Sequence, residues 1–314
     1  MNYCINTKVS IVIPVYNGSN YMREAIDSAL AQTYTNCEVL VINDGSTDNG
    51  ATRDIALSYG DRIRYFEKEN GGVASALNLG IREMAGEYFS WLSHDDVYYP
   101  DKLEKQLEFM ADRSDVILYG GYENIDSSSK VIASPPSYQI PDGSFRGALL
   151  INHIVHGCTT LVPRKCFENV GMFDESLRTT QDYDMWFRLA TVYSFVKQDR
   201  IITQSRVHQE QGTWTITSHR SEVDSLYSNC ICKLSPRELI NLFGVDSLSS
   251  AYVKLARNMA GRGYLKAADL SIRLAWQKNI EFGFENIFDL IVCAVFFAKK
   301  TFTTALRSVV NRFY

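Results

Sequence analysis

Residues 8–17, KVSIVIPVYN, are apolar almost without interruption from Val9 to Val15 and end in a polar asparagine. A strand covered on both faces reads this way. In GSNYMREAIDSALAQT, residues Tyr21, Ala25 and Ala29, and beside them Met22, Ile26 and Leu30, recur at helical spacing. CEVLVINDGSTDNG is then a second buried strand stopped by a glycine-containing turn. ATRDIALSYG reads as a helix and RIRYFEKENGG as a third strand and loop. In VASALNLGIREMAG, Ala74, Leu77, Ile81 and Met84 line one helical face, and Gly86 stands at the expected C-cap. EYFSWL is the fourth strand, and it runs straight into Ser93-His94-Asp95-Asp96.

Strand and helix alternating over short connections predict an α/β fold: a mostly parallel sheet flanked by helices. Ligands of such sheets bind outside the carboxyl ends of the strands. Asn17, Asp44 and the pair Asp95–Asp96 all fall at such ends. Residues 101–215 are less regular. They hold a helix with Leu103, Leu107 and Met110 aligned, a strand in VILYGGY, a proline- and serine-rich loop, and a helix starting near QDYDMWFRLA. From about residue 220 helical patterns dominate, with a hairpin broken at Gly261-Arg262-Gly263 and no second copy that would make a solenoid.

Composition narrows the classes. The 314 residues are 46% hydrophobic with a net charge of −4, which fits a globular protein and gives no overall electrostatic footprint for nucleic acid. Seven scattered cysteines without a C-x-x-C pair predict reduced thiols, not a cysteine metal site. The first residues read as a core strand and not as a signal peptide. No apolar run reaches the roughly 20 residues of a membrane span. Ile287–Ala298 is shorter and carries Asp289. The late cations Lys299, Lys300, Arg307 and Arg312 stand without acids from Leu290 onward, which suits a helix lying on an anionic membrane surface.

The chain has neither a G-x-x-x-x-G-K-[ST] loop nor a G-x-G-x-x-G after its first strand. Instead SIVIPVYNG, VLVINDGSTDN, ENGGVASALNLGI, WLSHDDVYYP, HGCTTLVPRKC, QDYDMWFRL and RVHQEQGT follow one another. In that order, over about residues 8–215, they resemble the family 2 glycosyltransferases of GT-A fold. The resemblance implies residues 1–215 as a GT-A catalytic domain, with a nucleotide-sugar half (1–100) and an acceptor half (101–215). Residues 216–314 follow as a helical region with peripheral membrane contact. It further implies an inverting, Mn²⁺- or Mg²⁺-dependent transfer from a UDP-sugar to a glycan, with a lipid-linked surface-polysaccharide intermediate at the cytoplasmic membrane face as acceptor. A non-catalytic nucleotide-sugar-binding scaffold and a sugar-phosphate nucleotidylyltransferase are the alternatives.

Site residues follow from the same matches. Pro14, Val15, Tyr16 and Asn17 match the loop along the nucleoside, and Asp44 matches the aspartate that accepts from a uracil N–H. Asn70, Gly71 and Asn78 would lie by the ribose or base. Asp96 is the expected metal ligand and Asp95 meets the ribose or sugar, although Ser93 replaces the first aspartate of the family's fuller acidic run. Asp182 is the expected base, kept ionised by the positive end of its helix, with Gln181 where relatives carry glutamate. His208 matches a late histidine that reaches the metal or diphosphate. His156 and Gly157 match the acceptor side, with Gly157 leaving room for a sugar ring, and Trp214 is the candidate lid.

Overall fold

The computed structural model describes residues 7–110, 115–136, 138–152, 154–211, 216–277 and 291. The chain forms two compact units, residues 1–138 with 154–216, and residues 139–153 with 217–314. The segment 139–153, which the sequence pattern groups with the acceptor half, therefore folds with the helical unit.

The first unit is built on β1 (Val9–Val15), β2 (Cys37–Asn43), β3 (Arg64–Glu67) and β4 (Tyr88–Trp91), in parallel order β3-β2-β1-β4. All of β1 is buried, so both faces of the sheet are covered there. The helices α1 (Met22–Leu30), α2 (Ala51–Leu57) and α3 (Val73–Glu83) pack on it. The expected C-cap glycine is not one: α3 closes at Met84, with φ −62°. Gly86 is needed for space, because a Cβ there would stand 2.7 Å from the Ser10 backbone nitrogen.

A second sheet, absent from the sequence reading, lies in the same unit. It contains β5 (Val97–Tyr98), β6 (Val116–Ile125), β7 (Val131–Ala133) and β9 (Ser194–Arg206), in the order β5-β9-β6-β7. The 13-residue β9 escapes pattern reading because Lys197-Gln198-Asp199-Arg200 interrupts its alternation. Its pairing with β6 also shifts register around Gly121. β8 (Val162–Pro163) adds antiparallel to β4. The helices α4 (Lys102–Met110), α6 (Arg164–Val170) and α7 (Gln181–Leu189) complete the unit.

The second unit holds α5 (Phe145–Ile151), α8 (His219–Ile231), α9 (Pro236–Phe243), α10 (Leu248–Arg262) and α11 (Leu265–Gln277). Ser235 and Glu238 form a reciprocal capping box at the start of α9. The expected hairpin turns at Gly263, which ends α10 in the left-handed conformation. Asp224 of α8 reaches across to accept the backbone N–H groups of Lys266 and Ala267 at 3.1 and 2.9 Å. Those donors have no partner within their own helix, so a buried aspartate supplies one. The cationic tail from Lys299 and the apolar stretch Ile287–Ala298 fall outside the described residues, Ile291 excepted.

Candidate active site

The carboxyl ends of β1, β2 and β4 converge as parallel-sheet logic requires, and local chemistry holds them in place. Asn17 follows β1 with φ 50°, a left-handed conformation that asparagine tolerates better than most residues. Its side-chain oxygen accepts from the Thr47 backbone N–H at 2.7 Å, and its own backbone N–H donates to Ser46 Oγ at 2.9 Å. The loops after β1 and β2 are thereby tied together. Gly18 lets the His94 ring approach, since a Cβ there would lie 2.7 Å from the imidazole.

A cavity of about 560 Å³ opens at these strand ends. Among the residues singled out from sequence, Pro14, Tyr16 and Asn17 line one part of it, and Asp95, Asp96, His156 and His208 another. Val15, Asp44, Asn70, Gly71, Asn78, Gly157 and Asp182 are not on its lining, and Trp214 lies outside the described residues.

Arg206, at the end of β9, organises the acidic pair. It is fully buried. Its backbone N–H donates to Asp96 Oδ1 and its Nε to the Asp95 carbonyl, both at 2.9 Å. Its Nη2 reaches Glu24 at 2.8 Å while the guanidinium lies over the Tyr21 ring. His208, two residues on, donates its Nε2–H to Asp95 Oδ2, 2.9 Å away. Burial works most strongly against charge on Asp95, but the His208 hydrogen bond and the His94 and His208 charges together outweigh it, and the carboxyl falls below its ordinary range. The same bond raises His208. Asp96 has the opposite fate. Burial first, and then the neighbouring charge of Asp95, push its carboxyl up to about 7. A buried carboxylate in that state favours a cation beside it, and its oxygens suit a hard divalent ion, so the residues present fit Mn²⁺ or Mg²⁺.

Other expected roles change. Asp44 is only 3% exposed, and its carboxylate accepts from Lys68 Nζ at 2.8 Å and from the Gly71 and Gly72 N–H groups at 3.0 and 2.7 Å. It anchors the Gly-Gly loop, and a nucleobase N–H would have to share the carboxylate with these donors. Asn78 is a correction: its amide is taken up by the Phe173 backbone at both ends and by Glu175, so it holds the 173–175 segment and stands off the cavity lining. Gly157 is another. The space beside it belongs to the Trp91 ring, 2.5 Å from where a Cβ would stand, and not to a sugar.

Asp182 lies in the first turn of α7, with Thr180 at the N-cap. The helix end does not keep it fully ionised as expected. Burial outweighs the Tyr183 backbone hydrogen bond and lifts the carboxyl to about 6. Asp184 is tied to Arg188 at 2.7 Å, which leaves Asp182 as the candidate base of this motif. Gln181, immediately before it, does line the cavity.

Four buried side-chain polar atoms without a hydrogen-bond partner among the described residues belong to this one cavity's lining. They are Trp91 Nε1, His156 Nδ1, Gln181 Oε1 and His208 Nδ1. Folded proteins satisfy nearly all buried polar atoms, so the gathering of such orphans on the walls of one cleft sets it apart from the rest of the described residues. Sequence reading passed over Arg178, which lines the cavity, and Lys68; their signals are a cation beside each of the FDESLR and EKENGG loops.

The family model for Glycosyl transferase family 2 matches residues 10–171, just over half of the chain. The chain belongs to glycosyl transferase family 2. An uncharacterized glycosyltransferase of Rickettsia felis is 49% identical over 278 residues, 86% of this chain and 45% of the relative. The chain spans less than half the length of that and two further Rickettsia relatives. Residues 1–349 of S. aureus TarS, crystallised with UDP-GlcNAc, superpose with a TM-score of 0.58 at 14% identity, over 81% of this chain and 73% of that one. The mannosyltransferase PcManGT of Pyrobaculum calidifontis, with GDP-Man and Mn²⁺, gives 0.52 at 18% identity, over 98% and 80%. The family fold is thus the GT-A fold.

Proposed function

We propose that the chain transfers a sugar from a nucleoside-diphosphate donor to a hydroxyl of a glycan acceptor, with inversion at the anomeric carbon. The observation that carries this reading is the cavity at the strand ends, which gathers Asp95, Asp96, His156 and His208 with four unpartnered buried polar atoms. Tyr16, 45% exposed beside the loop that Asp44 anchors, offers a ring face for a nucleobase. Asp44 and the Gly71–Gly72 amides shape that end, and a uracil fits an acceptor carboxylate there.

Asp96 and His208 would hold the divalent ion, and Asp95 a donor hydroxyl. When bound, Mn²⁺ or Mg²⁺ supplies positive charge against the departing nucleoside diphosphate. Asp182, ionised above about pH 6, takes the proton from the acceptor hydroxyl as that oxygen attacks the face opposite the leaving group. Gln181 Oε1, an unused acceptor, orients that hydroxyl. His156 stands on the same lining as the acceptor-side contact.

The neighbours are crystallised in complex with UDP-GlcNAc (TarS) and GDP-Man (PcManGT), and UDP-sugars are the reading favoured for this chain. The acceptor class is a lipid-linked surface polysaccharide, met through the basic residues after 290 at a membrane face. Among the described residues no helix is long and apolar enough to cross a membrane.

The test is transfer from a panel of UDP-, GDP- and dTDP-sugars to glycan acceptors, with and without Mn²⁺, for wild type, Asp182→Asn and Asp96→Ala. Donor-dependent transfer lost in both variants supports the reading. Full transfer by Asp182→Asn removes the base assignment, and donor binding without turnover in wild type makes the chain a scaffold.

A further inference from the structure

We propose that Asp96, His156 and Cys158 form a thiol-containing cation site that captures zinc-class ions and takes Asp96 away from the transfer site. One oxygen of Asp96, one ring nitrogen of His156 and the sulfur of Cys158 lie within 4.8 Å of one another. Asp96 Oδ2 and His156 Nε2 are 4.0 Å apart. The arrangement is a product of the fold. His156 directly precedes a single 3-10 turn, Gly157–Thr159, that carries Cys158. The Cys158 sulfur meets the Ser93 backbone N–H at 3.2 Å and Ser93 Oγ at 3.3 Å, which laces this turn to the Ser-His-Asp-Asp loop. Tyr122 stacks on the His156 ring with centroids 4.4 Å apart and holds its plane.

The donor set decides the ion. Magnesium and manganese take oxygen ligands, whereas a sulfur with an imidazole and a carboxylate selects zinc or cobalt. Around one zinc ion at bond lengths of about 2.0–2.3 Å, the three donors close in by about 1 Å from their present spacing. His156 Nε2 then exchanges its 3.1 Å bond to Ser205 Oγ for the metal. Three protein ligands leave the fourth tetrahedral position to water or a substrate oxygen. Capture breaks the Cys158 S–H bond: the thiolate pair goes to the metal, its proton goes to solvent together with any proton on Asp96, and no oxidation state changes. Ordinary cysteine chemistry does not occupy the sulfur first, because it is 1% exposed.

The site stands on its own geometry, while its consequence, inhibition of transfer, rests on the proposed function. Cobalt(II) is the probe, titrated into the reduced full chain. The expected result is a near-ultraviolet thiolate-to-cobalt charge-transfer band with tetrahedral visible bands, discharged by zinc, and, well above pH 7, one proton released per ion. Cys158→Ser abolishes the band, and His156→Gln weakens cobalt affinity at least about tenfold. Melting curves without metal check that both variants fold; if Cys158→Ser does not, His156→Gln decides. Cobalt bound without a thiolate band, a band surviving in Cys158→Ser, or unchanged affinity in His156→Gln overturns the site. Zinc inhibition of transfer should be at least about tenfold weaker in Cys158→Ser. Failure of all sugar transfer would overturn the proposed function and leave the optical result standing.

Discussion

Asp182 is a carboxylate held in a setting that disfavours its charge. Its folded value near 6 lies above the ordinary 3.8, so the folded state binds its proton more tightly than the unfolded chain does. Stability from this group is therefore fully present below about pH 4 and is lost as pH rises through 6. Two units correspond to at most about 3 kcal/mol. Asp182→Asn is expected to raise the melting temperature at pH 7.5 while lowering turnover by about 100-fold or more. A variant both less stable and less active would remove the strained-base picture. In the wild type, turnover at saturating donor should climb with pH through about 6 and level off above it. Gln181→Glu places a second carboxylate beside the first and shifts that climb to higher pH. Arg206 acts at the same scale. Its cation is fully buried between Asp95, Asp126, Ser129 and Glu24, so Arg206→Met should cost about 3 kcal/mol or more in chemical denaturation.

Among the elements, β9 decides most. It brings Ser205 and Arg206 against the loop after β4 and delivers His208 to Asp95. Nothing in its polar centre announces a 13-residue strand, because its pairing with β6 runs through register shifts. The first four strands and three helices were legible, since their apolar periodicity coincides with complete burial of β1 and the apolar face of α3. The single turn at Gly157 shows the limit of motif matching. Its glycine was readable, but the Trp91 ring that fills the space is not adjacent in sequence. Gly157→Ala should overpack that contact and destabilise by about 1–3 kcal/mol, with the melting temperature as readout. An unchanged melt would return the space to a ligand.

For the whole molecule, ligand and surface effects are the measurable ones. A bound donor at 100 times its Kd should stabilise the fold by about 2.7 kcal/mol, and chelation of divalent ions should remove that gain if donor binding runs through Asp96 and His208. The cationic residues after 290 predict co-sedimentation with anionic vesicles, falling with salt and lost when 278–314 are removed. Equal binding by the shortened chain would end that idea. The sequence by itself determined the parallel α/β frame, the strand-end position of Asn17, Asp44 and the Asp95–Asp96 pair, and the hairpin at Gly263. Each depends on local periodicity, turn chemistry or strand polarity. Only the tertiary structure decided that 139–153 folds with the helices, that the Asp44 carboxylate anchors the Gly-Gly loop and Asn78 the 173–175 segment, and that Cys158 meets Asp96 and His156. These depend on which distant atoms share a buried volume. There, competition for hydrogen bonds and loss of water set each group's charge and role.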